Sequence, residues 1–323
     1  MDSKIIYLLG AGASVNALPL ANDFADKLKK FSSDLNEIKH SSLPRGFGDS
    51  DIDPLIEDSR WLGEEGGKHA SIDTLAKKLF FKKDHINLKK LKAVVSTFLI
   101  IEQAKNNVDY RYDSFLATIL AEQNGSVILP DELEIITWNY DTQLDKAFFG
   151  FCDNEDYVIE KITLSDKITR LNGYCGTELS GHIGKYFLTI ISGDPDSIIS
   201  NGIELYNSYM RDNSYPDINF AWEDSTLTKF SNQDISSIET ASSMVIIGYS
   251  FPYFNREIDS LLLSHFPSGL KPKKPIYLQL PEKDQKSVAT RIKSLISPGL
   301  RDNVDIIPII GTDQFYIPDE FWQ

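Results

Sequence analysis

The chain has 323 residues, 41 % of them hydrophobic, enough apolar material for one large core or one core with a smaller inserted module. Acidic residues outnumber basic ones by 47 to 33, and the formal net charge of −14 repels phosphate backbones, which argues against direct binding of DNA or RNA. No apolar run approaches the roughly 18–20 residues that cross a bilayer, no leader pattern opens the chain, and two cysteines, Cys152 and Cys175, exclude a four-cysteine zinc ribbon and suit a reducing, cytoplasmic setting as unpaired thiols.

In chain order, Lys4–Leu9 is predicted to be a short buried strand and Asp23–Phe31 a helix, with Phe24, Leu28 and Phe31 on one face. Residues 32–68 show little periodicity and much Gly, Pro, Ser and Asp, so a long surface connection with short helical pieces is expected there. Helices follow at Ser71–Phe81, Leu88–Lys105 and Tyr112–Glu122, and the stretch from about 32 to 125 reads as a helical insertion after the first strand and helix. Glu134–Thr137 is a second strand with a helix after it at Asp141–Phe149, and Ile168–Leu171 is a third strand. Tyr186–Ser192 is apolar and β-branched, and 194–240 reads as a second, polar insertion with helical patches. Strands at Ser243–Ile247, Ile276–Leu280 and Val304–Ile310 alternate with helices at Arg256–Leu263 and Lys283–Leu295. The alternation predicts a parallel, doubly wound α/β sheet in a single domain spanning 1–323.

Ligands of such sheets bind beyond the carboxyl ends of the strands, so the residues after each strand are the candidates. The first set is Gly10-Ala11-Gly12-Ala13-Ser14, whose glycines allow a tight turn and close backbone approach to a phosphate. Val15 stands where a dinucleotide fingerprint would carry a third Gly or Ala, and no Gly-Lys-Ser/Thr follows for a P-loop, so a purely structural turn is an open alternative. The second set is Thr137-Trp138-Asn139-Tyr140-Asp141, in which amide and carboxylate could hold ribose hydroxyls or a water, or Asp141 could simply cap the next helix. Asn172-Gly173 and Gly248-Tyr249-Ser250 complete a polar ring around one crevice. Five histidines and two cysteines show no ligand spacing, so no metal is expected.

These motifs, in this order, resemble the sirtuin (silent information regulator) family. The resemblance rests on Gly10–Ser14 with Ala17-Leu18-Pro19 and Asp23-Phe24, on Thr137–Asp141 as the counterpart of a Thr-Gln-Asn-x-Asp segment, on Arg170–Gly173 as that of Leu-His-Gly, and on Gly248-Tyr249-Ser250 as that of a late Gly-x-Ser loop. It implies a doubly wound, mostly parallel Rossmann-like sheet with helical insertions. Without the ribbon, the chain is similar to bacterial sirtuin-like effectors of anti-phage abortive infection, which cleave NAD to nicotinamide and ADP-ribose. By the resemblance, Gly10, Ala11, Gly12, Ser14, Asp23, Phe24, Thr137, Gly248, Ser250 and Gln279 would bind NAD as substrate, and Asn139, Asp141 and Asn172 would form the catalytic set. The relatives also imply a homo-oligomer with a partner such as a HerA-like ATPase or an Argonaute-type protein, and no contact with a membrane.

Asn172 departs from the family, which carries a catalytic His at that position, and a neutral amide takes no proton at neutral pH. Three possibilities stay open: chemistry without that base, a base supplied by another group, or an inactive chain. His182 is the nearest spare imidazole in sequence. The alternatives in function are a non-catalytic NAD- or ADP-ribose-binding regulatory subunit and a dehydrogenase. The dehydrogenase would want an acidic residue about twenty positions past the glycine loop at the end of a second strand, and Asp34 and Glu37 fall in helix or loop sequence instead.

Overall fold

A computed structural model describes residues 4–123, 126–152, 167–177, 194–211, 214–223, 232–267 and 273–322. Among them the chain begins with β1 (Ile5–Leu9), α1 (Phe24–Ser41), α2 (Asp49–Gly66), α3 (Ile72–Phe81), α4 (His85–Lys105) and α5 (Tyr110–Ile119). The hairpin β2 (Ala121–Gln123) and β3 (Ser126–Ile128) follows, then β4 (Leu133–Thr137), α6 (Gln143–Phe149), β5 (Ile168–Arg170) and β6 (Gly173–Thr177). The remainder holds α7 (Pro195–Arg211), β7 (Pro216–Ile218), α8 (Asn232–Thr240), β8 (Ser243–Ile247), α9 (Arg256–His265), β9 (Lys274–Gln279), α10 (Glu282–Leu295) and β10 (Val304–Ile309).

Six strands form one sheet in the order β10-β9-β8-β1-β4-β5, every pair parallel. The chain starts in the middle, builds outward through β4 and β5, then returns to the other side of β1 and builds outward through β9 and β10. That is the strand order of a Rossmann-like sheet, with the switch of direction between β1 and β8. Strand β1 is apolar at every position because both of its faces are covered. Ile6 and Leu8 pack with Ile258 and Leu262 of α9 and Val288 and Ile292 of α10, whereas Ile5, Tyr7 and Leu9 pack with Tyr112, Phe115 and Leu116 of α5 and Leu144 of α6.

A third apolar cluster joins α1, α2, α3, α4 and α7 into a helical layer. Its centre is α4, which buries residues on every side, including Leu91, Val94, Phe98 and Ile101, as a helix enclosed by its neighbours must. Here one expectation changes. Residues 32–68 are not a long surface connection: α1 continues to Ser41 and α2 fills Asp49–Gly66, leaving a short link between them. The helix-forming pattern is Leu28, Phe31, Leu35 on one and Ile52, Leu55, Ile56, Leu62 on the other, thinly spaced among polar residues that face outward. Pro54 inside α2 masked it further. That proline cannot donate to the Ser50 carbonyl, and Arg211 Nη2 of α7 does so instead, at 3.0 Å. Parts of the two segments read as insertions also meet, since α7 packs on α4 and Ile203, Tyr206 and Tyr209 share its core. Tyr186–Ser192 and His182 lie outside the described residues.

Candidate functional site

The chain leaves β1 through Gly10 and makes a short 3-10 turn over Ala11–Ser14 rather than entering a long helix. Gly10 and Gly12 are required there by the neighbouring loop: a Cβ on Gly10 would lie 2.6 Å from Tyr249 Cα and one on Gly12 2.7 Å from Gly248 Cα. Gly248 itself has a φ of +63°, and a Cβ on it would meet the backbone of Gly12 at 2.4 Å. The switch point between β1 and β8 is therefore closed by backbone packing. Several loop N–H groups are also engaged, Gly10 with Ile247 O, Gly12 with Gly248 O, and Ala13 with Gly10 O. The turn can offer a phosphate fewer donors than the sequence motif suggests.

The polar convergence lies on the other side of β1, toward β4. Ser14 Oγ is buried and has partners that match its valence: it donates to Asp141 Oδ1 at 3.1 Å and accepts from Tyr112 Oη at 3.2 Å and Asn139 Nδ2 at 3.4 Å. Asn139 follows a turn in which its N–H donates to Thr137 Oγ1 at 3.0 Å. Asp141 Oδ1 also accepts the Gln143 N–H at 3.0 Å, so the residue does close the start of α6 as well as reach Ser14. Burial raises the Asp141 carboxyl to about 6, against the Gln143 and Ser14 hydrogen bonds that favour its charge.

Asn172 sits just past β5. Its Nδ2 donates to Trp138 O at 2.9 Å, while Oδ1 is buried and has no hydrogen-bond partner among the described residues. The donor contact fixes the amide's orientation, since a flip would set two oxygens face to face. Beside it, Arg170 pairs with both carboxylate oxygens of Asp145 at 2.6 Å, so that guanidinium is already committed.

Other expected site residues go elsewhere. Gln279 spends its amide on the C-terminal segment, donating to Gly311 O and Gln314 O and accepting from Tyr316 N, at the edge of a cleft of about 400 Å³ between α5 and that segment. Asp23 is exposed at the start of α1, and Phe24 packs edge-on against Phe98. Ser250 is exposed, its carbonyl held by Arg291. Ala11 and Thr137 lie on the loop and turn just described.

Sequence reasoning missed three supports. The first is α5, where Asp109 accepts from Asn16 N and Nδ2, and Arg111 Nη2 donates to Gly12 O and Ala13 O at 3.1 Å, clamping the glycine loop from behind. Burial works against the Asp109 charge, but the Arg111 contacts outweigh it and hold the carboxyl below its ordinary range. The second is Gln103 of α4, whose Oε1 accepts Thr142 N at 2.9 Å. The third lies under the site, where Trp138 Nε1 and Tyr249 Oη both donate to Asp259, which is buried, has no cation partner among the described residues, and is raised to about 8 by burial. An Asp-x-Arg-Tyr run at a helix start was the only sequence signal of the first; the others had none.

Among the described residues no group of His, Cys, Asp and Glu could hold a metal ion, and no helix is long and apolar enough to cross a membrane. No protein-family model matches the chain, and no curated protein matches it.

Proposed function

We propose that the chain is a sirtuin-like NAD-hydrolysing enzyme that releases nicotinamide and ADP-ribose, acting in the cytoplasm as the effector of a bacterial anti-phage abortive-infection system. The observation that carries this reading is the joining of Ser14, Asn139 and Asp141 across the carboxyl ends of β1 and β4 in a Rossmann-like sheet. Nicotinamide departs as a neutral base from a cationic ring and leaves an oxocarbenium-like ribose, so the chemistry asks chiefly for orientation and negative charge near that carbon. Asn139 positions a water or the ribose, Asp141 orients the ribose and the nicotinamide side, and Asn172 contributes its unpaired amide oxygen as an acceptor. An NAD-consuming enzyme has to be held off until infection, which favours a homo-oligomer under a partner such as a HerA-like ATPase or an Argonaute-type protein.

The test is incubation with NAD and quantification of free nicotinamide, with Asn139→Ala beside the wild type. Release is expected from the wild type and loss of NAD binding or turnover from the variant; unchanged binding and turnover in the variant would remove Asn139 from the site. The second reading, a non-catalytic NAD- or ADP-ribose-binding regulatory subunit, is favoured by the neutral Asn172 and by the engaged N–H groups of the glycine loop. It predicts tight binding with no nicotinamide from either the wild type or Asn172→His.

A further inference from the structure

Hydrolysis of the C1′–N bond consumes a water and releases a proton, and a group beside that water that accepts it speeds the step. Asn172 cannot accept it. Among the described residues no imidazole touches Ser14, Asn139, Asp141 or Asn172; His265 pairs with Glu239 and His69 lies against Lys78. Of the remaining candidates, Asp145 is bound to Arg170. Asp109 is bound to Arg111. The Cys175 thiol is pushed up to about 12 by burial and yields no thiolate near neutrality. Tyr112 is pushed upward too, and stays a hydrogen-bond donor.

Asp141 is the carboxylate that the Ser14 hydroxyl meets directly, and its surroundings fit the task. Ser14 and the Gln143 N–H both go to Oδ1. Ser14 sends its proton there, because Tyr112 and Asn139 donate to the two lone pairs of its own oxygen. The carboxyl is thus held through Oδ1 in a partly buried residue, and among the described residues no hydrogen bond engages Oδ2. We propose that Asp141 is the proton acceptor of the reaction through Oδ2, and that Ser14, fixed by Tyr112, is the positioning residue that presents it. The inference rests on the NAD-hydrolysing reading of this site.

In the step, the C1′–N bond breaks with its electron pair going to the nicotinamide nitrogen, neutralising the ring. A water oxygen bonds to C1′ as one of its protons passes to Oδ2, and the carboxylic acid then gives that proton to solvent. NAD and water become nicotinamide, ADP-ribose and a proton. The groups that face Asp141 are Arg170 of β5, Asp145 of α6, Tyr112 of α5 and Cys175 of β6. Arg170 favours the charged form and Asp145 opposes it, while burial sets the sum near 6. A base of that strength is largely ionised at neutral pH while remaining a stronger proton acceptor than an ordinary carboxylate.

The experiment measures NAD binding by calorimetry and nicotinamide release from pH 5 to 8 for the wild type, Asp141→Asn, Tyr112→Phe and Asp141→Asn/Asn172→His. Wild-type kcat is expected to rise with pH, reach half its plateau near 6 and stay level above. Asp141→Asn should keep NAD affinity within about three-fold while kcat falls by roughly 10²–10⁴ and loses its pH dependence. The added imidazole should return part of that loss. Tyr112→Phe should move the inflection upward, because an unpinned Ser14 donates less to the carboxylate; a purely structural role would lower the melting temperature and leave the inflection in place. Equal kcat for the wild type and Asp141→Asn overturns the assignment while the NAD reading stands. Should Asp141→Asn not fold, a wild-type profile flat from pH 5 to 8 overturns it equally. A wild type that neither binds NAD nor releases nicotinamide overturns the reading beneath it, and the assignment with it.

Discussion

Gly12 and Gly248 are where the two halves of the sheet touch, and the requirement for glycine differs from the one their motifs suggest. A Cβ at Gly248 would stand 2.4 Å from the backbone of Gly12, and the residue's φ of +63° adds strain for any L side chain. Gly248→Ala is therefore expected to lower unfolding free energy by roughly 3 kcal/mol or more, read from urea melts. Gly46 provides the control, with a φ of +93° and nothing within 4 Å of a Cβ, so Gly46→Ala should cost only about 1 kcal/mol. Equal losses at the two positions would mean that backbone strain, and not the contact between the halves, sets the requirement. The position of these glycines was legible from the sequence as strand-stop signals. Their purpose was not, because which loop faces which depends on strand order, and nothing local to Gly10–Ser14 encodes a neighbour more than 230 residues away. Ser14 and Asp141 were legible for the same reason and came together because β1 and β4 are adjacent.

At the scale of elements, the site stands on buried charges that secondary-structure patterns do not reveal. Among the described residues Arg111 is the one cation paired with buried Asp109, and it also holds the loop carbonyls of Gly12 and Ala13. Arg111→Met leaves Asp109 charged and uncompensated, which costs about 3–5 kcal/mol, whereas Asp109→Asn/Arg111→Met should be milder because no lone charge is left behind. Denaturant melts of the two variants decide it; an equal or larger loss in the double variant would show that the pairing itself matters less than the contacts to Asn16. Asp259 poses the opposite case, a buried carboxyl with donors but, among the described residues, no cation. Its folded pKa of about 8 lies above the ordinary carboxyl value, so the unfolded chain ionises first as pH rises, and stability is lost between about 4 and 8. Asp259→Asn, which keeps an acceptor for Trp138 and Tyr249, should melt at a higher temperature than the wild type at pH 9 and lose this advantage near pH 4. A melting difference independent of pH would contradict it.

At the scale of the molecule, the sheet was readable and the helical layer was not. Runs such as Ile5–Leu9 and Met244–Ile247 are apolar throughout because both faces of the sheet are covered, so their identity as buried strands is written locally. The layer formed by α1, α2, α4 and α7 is stabilised instead by contacts between segments far apart in sequence, and its outer helices carry only a thin apolar stripe. What this layer does for the site is concentrated in Gln103. From the end of α4 its Oε1 accepts the N–H of Thr142, and its Nε2 donates to Cys175 Sγ at 3.1 Å. The turn from Asn139 to Gln143, on which both site carboxylate and site amide depend, is thus anchored to a helix outside the sheet. Gln103→Leu keeps the volume and removes the acceptor, leaving the Thr142 N–H buried without a partner at a cost of about 1–3 kcal/mol. If the helical layer serves only to enlarge the core, NAD affinity and nicotinamide release should then be unchanged in the folded variant. If it holds the turn, both should fall, and by a larger factor than in Ser59→Ala, a buried position of the same layer that touches none of the site residues. The second outcome is expected, because among the described residues Gln103 is the side chain that accepts the Thr142 N–H.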